Sequence, residues 1–176
     1  MTAGNSTPLT DGASAVLMAS EEWAEAHDFP VQAYLTHFAT TAVDFAGMAS
    51  PYREGLLMAP TYAVPKMLDD AGLKLQDFDF YEIHEAFAAQ VLCTLKAWES
   101  PDYCRKRLGR GEPLGAIDLS KLNVQGGSIA LGHPFAATGG RIIAGLAKLL
   151  VQRGNGRGLI SICTGGGMGV TAILER

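Results

Sequence analysis

Apolar side chains set the first outline of this chain. Between Thr61 and Gly72 they recur at helical spacing (Ala63, Met67, Leu68, Ala71), and Gly72 supplies the stop expected just past a helix. A second helical face runs through Ile83, Phe87, Val91, Leu95 and Trp98, directly after a strand predicted over residues 79–83. His84 and Glu85 then fall at a strand-to-helix junction. A third pattern, Ile142, Ile143, Leu146, Leu149 and Leu150, predicts a helix over 135–153, and two apolar runs at 159–163 and 170–174 read as strands joined by a glycine-rich turn.

The first third is less regular. Residues 2–11 are rich in Gly, Asn, Ser, Thr and Pro; 12–19 reads as a short buried strand, 21–27 as a brief polar helix, and 31–38 as an alternating strand. A Gly- and Pro-punctuated loop follows to residue 59, long for a compact domain, and such loops tend to carry function. Residues 100–119 hold Pro, Gly and most of the clustered charge, which predicts a surface excursion. Residues 123–130 contain glycine and 131–134 form a tight turn. Helices alternating with strands and ending in a hairpin imply a mixed α/β sheet covered by helices.

Composition narrows the functional classes. With 176 residues, 48% of them hydrophobic, the chain can bury one proper core. Its net charge of −4 leaves one modest basic cluster, Arg105, Lys106, Arg107 and Arg110, without the wide positive field that nucleic-acid binding needs. Three cysteines (Cys93, Cys104, Cys163) give neither an even disulfide set nor a zinc-binding C-x-x-C, so a reducing compartment and no metal are expected. No apolar run reaches membrane-spanning length and no export signal opens the chain, which points to the cytoplasm.

Three motifs could carry chemistry. Gly132-His133-Pro134 sets a histidine before a helix, where the positive end of the dipole disfavours imidazolium and leaves a neutral ring suited to an oxyanion; a capping or core histidine satisfies the same pattern. Cys163-Thr164-Gly165-Gly166-Gly167 puts a thiol at a strand end before glycines that let backbone N–H groups approach a ligand. A thiol titrates near pH 8.5, roughly, within reach of acid/base work, although an isolated buried cysteine is more simply a small hydrophobe. His84-Glu85-Ala86-Phe87 emerges at the sheet edge where open α/β folds tend to bind ligands, and capping explains either polar residue as well.

These motifs in this order, with the opening Thr2-Ala3-Gly4-Asn5 and Leu9-Thr10-Asp11-Gly12-Ala13, resemble the C-terminal portion of the thiolase family over almost the full chain. The long runs Asn123-Val124-Gln125-Gly126-Gly127-Ser128-Ile129-Ala130-Leu131-Gly132-His133-Pro134 and Cys163-Thr164-Gly165-Gly166-Gly167-Met168-Gly169 carry the likeness. The resemblance implies a mixed five-stranded sheet covered by helices, the C-terminal domain of the two-domain thiolase fold. Residues 1–20 would end the N-terminal domain with its last strand, and 21–176 would form the C-terminal domain.

By that resemblance the reaction is ping-pong acyl transfer between acyl-CoA and acetyl-CoA in fatty-acid β-oxidation. Cys163 would move the proton at C2 of acetyl-CoA, His133 would activate the nucleophile and steady the thioester oxygen, and the backbone N–H of Gly165 would meet the tetrahedral oxyanion. His84 stands where the commonest thiolase pattern has an asparagine. A histidine there, with the insertion at 100–119, resembles the branch containing β-subunits of the fatty-acid trifunctional complex and shifts the expectation toward longer acyl chains. Thr7 and Phe87 match positions lining the pantetheine tunnel.

The family's acylated cysteine has no counterpart here. Cys93 is mid-helix and Cys104 lies in the charged excursion, so the chain alone is expected to be inactive, with an N-terminal thiolase half as its complement. The other implied partners are acyl-CoA and CoA, a second copy of the chain, and the α-subunit of a β-oxidation multienzyme. No cofactor beyond CoA thioesters as substrates is implied, and the compartment would be mitochondrial in a eukaryote. A non-catalytic CoA- or lipid-binding module that keeps the fold is the alternative.

Overall fold

A computed structural model describes residues 1–49 and 53–176, so residues 50–52 of the long loop lie outside the described residues. In chain order the elements are α1 (Glu21–Ala26), β1 (Tyr34–Ala42), α2 (Pro60–Ala71), β2 (Phe80–Ile83), α3 (Ala88–Glu99), α4 (Pro101–Arg107), α5 (Ser128–Leu131), α6 (Thr138–Arg153), β3 (Arg157–Thr164) and β4 (Met168–Glu175). The strands form one mixed sheet in the order β1-β4-β3-β2. β4 runs antiparallel to both its neighbours, and β2 lies parallel to β3.

Alternation along the strands sorts the core into two layers. Tyr81, Ile83, Leu159 and Ile173 point to one face and pack with Val64, Met67 and Leu68 of α2 and Val91, Leu95 and Trp98 of α3. Ile160, Ala172 and Leu174 point to the other and pack with Ile142, Leu146 and Leu150 of α6. Helices therefore cover both faces, as the periodicities imply.

The helical boundaries have local causes. α2 starts on Pro60, whose fixed φ suits a first helical position, and stops at Gly72, whose φ of +66° is cheap only without a Cβ. Pro65, inside α2, has no N–H for the carbonyl of Thr61 four residues earlier. The buried Trp98 indole N–H donates to that carbonyl at 3.4 Å and ties α3 to α2.

Several sequence expectations need correction. The sheet has four strands rather than five among the described residues, and residues 12–19 form no strand and pair with none of them; Leu17 and Met18 are 68% and 64% exposed. An apolar run makes a buried strand only where a neighbour offers hydrogen bonds, and the described part of this chain offers none to that run. β1 is shifted toward the C-terminus of its predicted place. The excursion at 100–119 contains α4: Ser100 caps it by accepting from the Tyr103 N–H at 3.2 Å, with Pro101 at the first helical position. Cys104, expected in an exposed loop, is fully buried and its Sγ lies 3.5 Å from the Ala97 and Trp98 carbonyls. The basic cluster is matched by carboxylates, Arg105 and Lys106 by Asp102, Arg107 by Glu54, and Arg110 by Asp69. α6 begins at Thr138, three residues later than expected, after a turn in which Ala136 has a positive φ.

Candidate active site

Parallel pairing of β2 and β3 brings two motifs to one edge of the sheet. Ile83 lies beside Ser161, and the His84 N–H donates to the Ser161 carbonyl at 2.9 Å as the chain leaves β2. Two residues further along β3 stands Cys163, 6% exposed. Residues 84–87 are a non-helical connection, and α3 begins only at Ala88. The N–H groups of Cys163 and Ala86 favour the thiolate of Cys163. Burial outweighs them and pushes the thiol up to about 11, so it holds its proton at neutral pH.

The rings of His84 and His133 lie against each other, tilted at 46° with centroids 4.3 Å apart. Phe135 closes the far side of His133 at 4.9 Å. Burial, then the nearby His133 and Arg141, lowers His84 to about 4. His133 is lowered as well, again by burial first and Arg141 second. Both rings are therefore neutral at pH 7, in line with the neutral histidine expected for Gly132-His133-Pro134. The physical cause differs: His133 precedes α6 by five residues and touches it through the first helical residue, its Nδ1 lying 2.6 Å from Thr138 Oγ1.

The Thr138 hydroxyl also reaches the Pro134 carbonyl at 3.3 Å. Both contacts form together only if the hydroxyl donates to the carbonyl and accepts from His133 Nδ1–H. This network assigns the ring proton to Nδ1 and leaves a lone pair on Nε2, the arrangement of a base.

A strap from the N-terminus crosses the pair. Ser6 bridges Phe87, the Thr7 N–H donates to the Ala86 carbonyl at 3.0 Å, and the His133 N–H donates to the Pro8 carbonyl at 3.0 Å. The Thr7 hydroxyl donates to the Ser128 carbonyl at 2.8 Å. Thr7 and Phe87, paired in the sequence only by resemblance, thus lie on two bridged segments, next to Ser6 and Ala86 respectively. Glu85 turns away from the rings; its carboxylate accepts from Asn123 Nδ2 at 2.7 Å and from the Ile129 N–H near the start of α5 at 3.0 Å, a capping role.

Gly165 is apart from the histidines, exposed on the β3–β4 turn. Gly166 and Gly167 adopt φ of +89° and +77°, which explains their lack of a Cβ. Gly165 has no such φ, and a Cβ there would meet nothing within 4 Å. Within this chain, then, nothing in the fold requires glycine at 165.

Four residues beneath the site escaped sequence reasoning. Ser128 and Thr138 orient the two histidines, Arg141 Nη2 donates to Ser128 Oγ at 2.9 Å, and Glu82 lies buried in β2. Burial lifts the Glu82 carboxyl to about 7, against a smaller opposing pull from Arg141. Only Glu82 left a signal, a lone charge in the apolar strand Phe80-Tyr81-Glu82-Ile83. Two surface concavities lie elsewhere, beside α4, and are lined by ion-paired side chains such as Arg107 and Arg110. Among the described residues no group of three His, Cys, Asp or Glu could hold a metal, and no helix is long and apolar enough to cross a membrane.

Comparisons with known proteins find likenesses across nearly the whole chain. The family model for the thiolase C-terminal domain matches residues 30–176. A 3-ketoacyl-CoA thiolase of Yersinia pestis (strain Pestoides F) is 49% identical over 175 residues, 99% of this chain and 38% of that protein. Among solved structures, acetyl-CoA acetyltransferase of Bacillus anthracis superposes with a TM-score of 0.76 at 34% identity, and human mitochondrial 3-ketoacyl-CoA thiolase in complex with CoA with 0.72 at 34%. Each alignment covers 99% of this chain and 38% of the other, so the chain spans about two fifths of the length of the relatives it matches.

Proposed function

Since the chain belongs to the thiolase family and carries its C-terminal domain, we propose that it supplies the acid/base half of a thiolase active site, for acyl transfer between acyl-CoA and acetyl-CoA. The observation that carries this is the neutral histidine pair beside a buried, protonated thiol at adjoining strand ends. Cys163 is the acid/base at C2 of the acetyl group. Its raised affinity for a proton suits protonation of the acetyl-CoA carbanion released when a 3-oxoacyl-CoA is cleaved. His133, with a lone pair on Nε2, accepts the proton of the nucleophilic thiol, and His84 faces the thioester oxygen.

Gly165 offers its N–H to the tetrahedral oxyanion; its exposure and the absence of any fold requirement for glycine there support close approach by a ligand or a partner segment. Thr7 and Phe87 line the pantetheine arm, and the likeness to a human thiolase solved in complex with CoA supports CoA thioesters as substrates, with no further cofactor. Histidine at position 84 favours longer acyl chains and a place in fatty-acid β-oxidation.

Of the three cysteines only Cys163 is at the site: Cys93 is exposed on α3 and Cys104 is a buried residue of α4. The acylated nucleophile must therefore come from an N-terminal thiolase half, with residues 1–20 finishing that half's sheet and 21–176 forming the domain described. Exposed apolar residues such as Leu17, Met18 and Phe38 suit cover by that half, by a second copy, or by the α-subunit of a multienzyme. Free thiols suit a cytoplasmic or mitochondrial setting.

The test is CoA-dependent cleavage of a medium-chain 3-oxoacyl-CoA by this chain alone and after co-expression with an N-terminal thiolase half, with Cys163→Ala as control. Turnover only in the reconstituted sample, lost on substitution, is expected. Verified reconstitution that binds CoA without turnover would leave a non-catalytic module, and turnover by the chain alone would refute the need for a second half.

A further inference from the structure

Arg141 and Glu82 lie beneath the histidine pair with no part in the chemistry above. Arg141 stands in the first turn of α6, and among the described residues its side chain makes one hydrogen bond, from Nη2 to Ser128 Oγ at 2.9 Å. Its Nε is buried without a partner among the described residues. Glu82 acts on it through space rather than as an ion pair. A guanidinium held this way is poor value as a stabilising contact, because its desolvation is met by a single bond and a distant carboxyl.

What the single bond controls is Ser128. That side chain is fully buried, and its hydroxyl meets two groups, Arg141 Nη2 and His84 Nδ1, the latter at 2.9 Å. Arginine has no lone pair to offer, so it must donate, and Ser128 Oγ keeps one proton of its own to place. Given to His84 Nδ1, that proton is satisfied. If Nδ1 carried a proton instead, the serine proton would be buried unpaired, at roughly 1–3 kcal/mol. The satisfied arrangement puts the ring proton on Nε2, which makes no hydrogen bond to the described residues.

We infer that Arg141, acting through Ser128, fixes His84 as the Nε2–H tautomer and so makes it a hydrogen-bond donor to the substrate's thioester oxygen. Arg141 is thereby a positioning residue. The two adjoining histidines then differ in kind: His133 presents a lone pair at Nε2 and His84 a proton. The charged and titratable groups that face His84 are His133 and Arg141, while Glu85 is committed to Asn123 and α5. Arg141 also opposes imidazolium formation, which keeps the ring a neutral donor. The tautomer follows from this chain's own hydrogen bonds; its use toward a thioester rests on the thiolase proposal.

The two parts separate experimentally. Nitrogen-15 NMR of the ring nitrogens in the 176-residue chain, with His84→Asn to identify the signal, reads the tautomer directly. At neutral pH the unsubstituted chain is expected to show a protonated Nε2 and a bare Nδ1 at His84, and Ser128→Ala and Arg141→Met to show mixed tautomers. A proton on Nδ1 in the unsubstituted chain, which needs no variant to fold, would overturn the inference, as would an unmixed Nε2–H ring in both variants. In the reconstituted enzyme Arg141→Met is expected to lower kcat severalfold at unchanged KM and to move the acid limb of the kcat profile to higher pH, because His84 then protonates more readily. A merely structural defect lowers kcat without moving that limb. The expected tautomer with no effect on turnover would uphold the relay and sink the catalytic use of His84.

Discussion

Glu82→Gln offers the sharpest energetic test of the buried network. Burial raises the carboxyl from an ordinary 4.5 to about 7, so the folded chain binds its proton more tightly than the unfolded chain does. For a raised group the associated stability is fully present below the unfolded value and is lost as pH climbs through the folded one. At about 1.4 kcal/mol per pH unit, the unsubstituted chain should lose about 3 kcal/mol between pH 4.5 and pH 8 from this group. Glutamine keeps the shape and cannot titrate. Urea unfolding of both chains across that range, taken as a difference, isolates the carboxyl because every other titrating group is shared. With a urea slope of about 2 kcal/mol/M, the gap between midpoints should change by about 1.5 M, with Glu82→Gln relatively more stable at the alkaline end. Parallel curves, or a difference centred near the ordinary carboxylate value, would refute the claim that Glu82 is a buried acid that titrates near neutrality.

Two further outcomes separate site from scaffold. Gly167→Ala should destabilise the chain by about 1–3 kcal/mol in urea unfolding, since its φ is +77° and a Cβ would stand 2.7 Å from Phe45 and the Val43 carbonyl; Gly165→Ala should leave stability within about 0.5 kcal/mol while lowering reconstituted activity, and the reverse ranking would dismiss Gly165 as a ligand-facing position. Under iodoacetamide at pH 8, mass spectrometry should find exposed Cys93 modified first. Cys163 should lag by at least about 100-fold, from its displacement to about 11 together with burial, and labelling of both thiols at similar rates would contradict the burial of the Cys163 sulfur.

Legibility in the sequence followed how local each cause was. α2 was readable because its spacing, Pro60 and Gly72 all act within one segment. α4 carried equally local marks, a serine cap, Pro101 next and Arg105 to Arg107 in the last turn, but its charge density hid them. Residues 12–19 misled because strand formation is a property of two segments, and hydropathy reports one. The candidate site divides along the same line. His84, His133 and Cys163 stand in distinctive runs, whereas Ser128 and Arg141 matter only because folding brings them to a histidine at position 84. No window of sequence contains that relation.

The strand order has a consequence for how the chain is made. β4 follows every strand it joins, yet it sits between β1 and β3. During vectorial synthesis β1 emerges with more than a hundred residues still to come before its partner at 168–175 is available, so the edge that presents Phe38 waits unpaired beside a growing chain. Early segments can form α2 and α3 alone, while the sheet closes late and as a unit. A ribosome that stalls or terminates a few codons short of β4 would therefore release β1 with nothing to pair with and β2 and β3 as a bare parallel pair, a nascent product marked for chaperones and proteases rather than a slightly shorter domain.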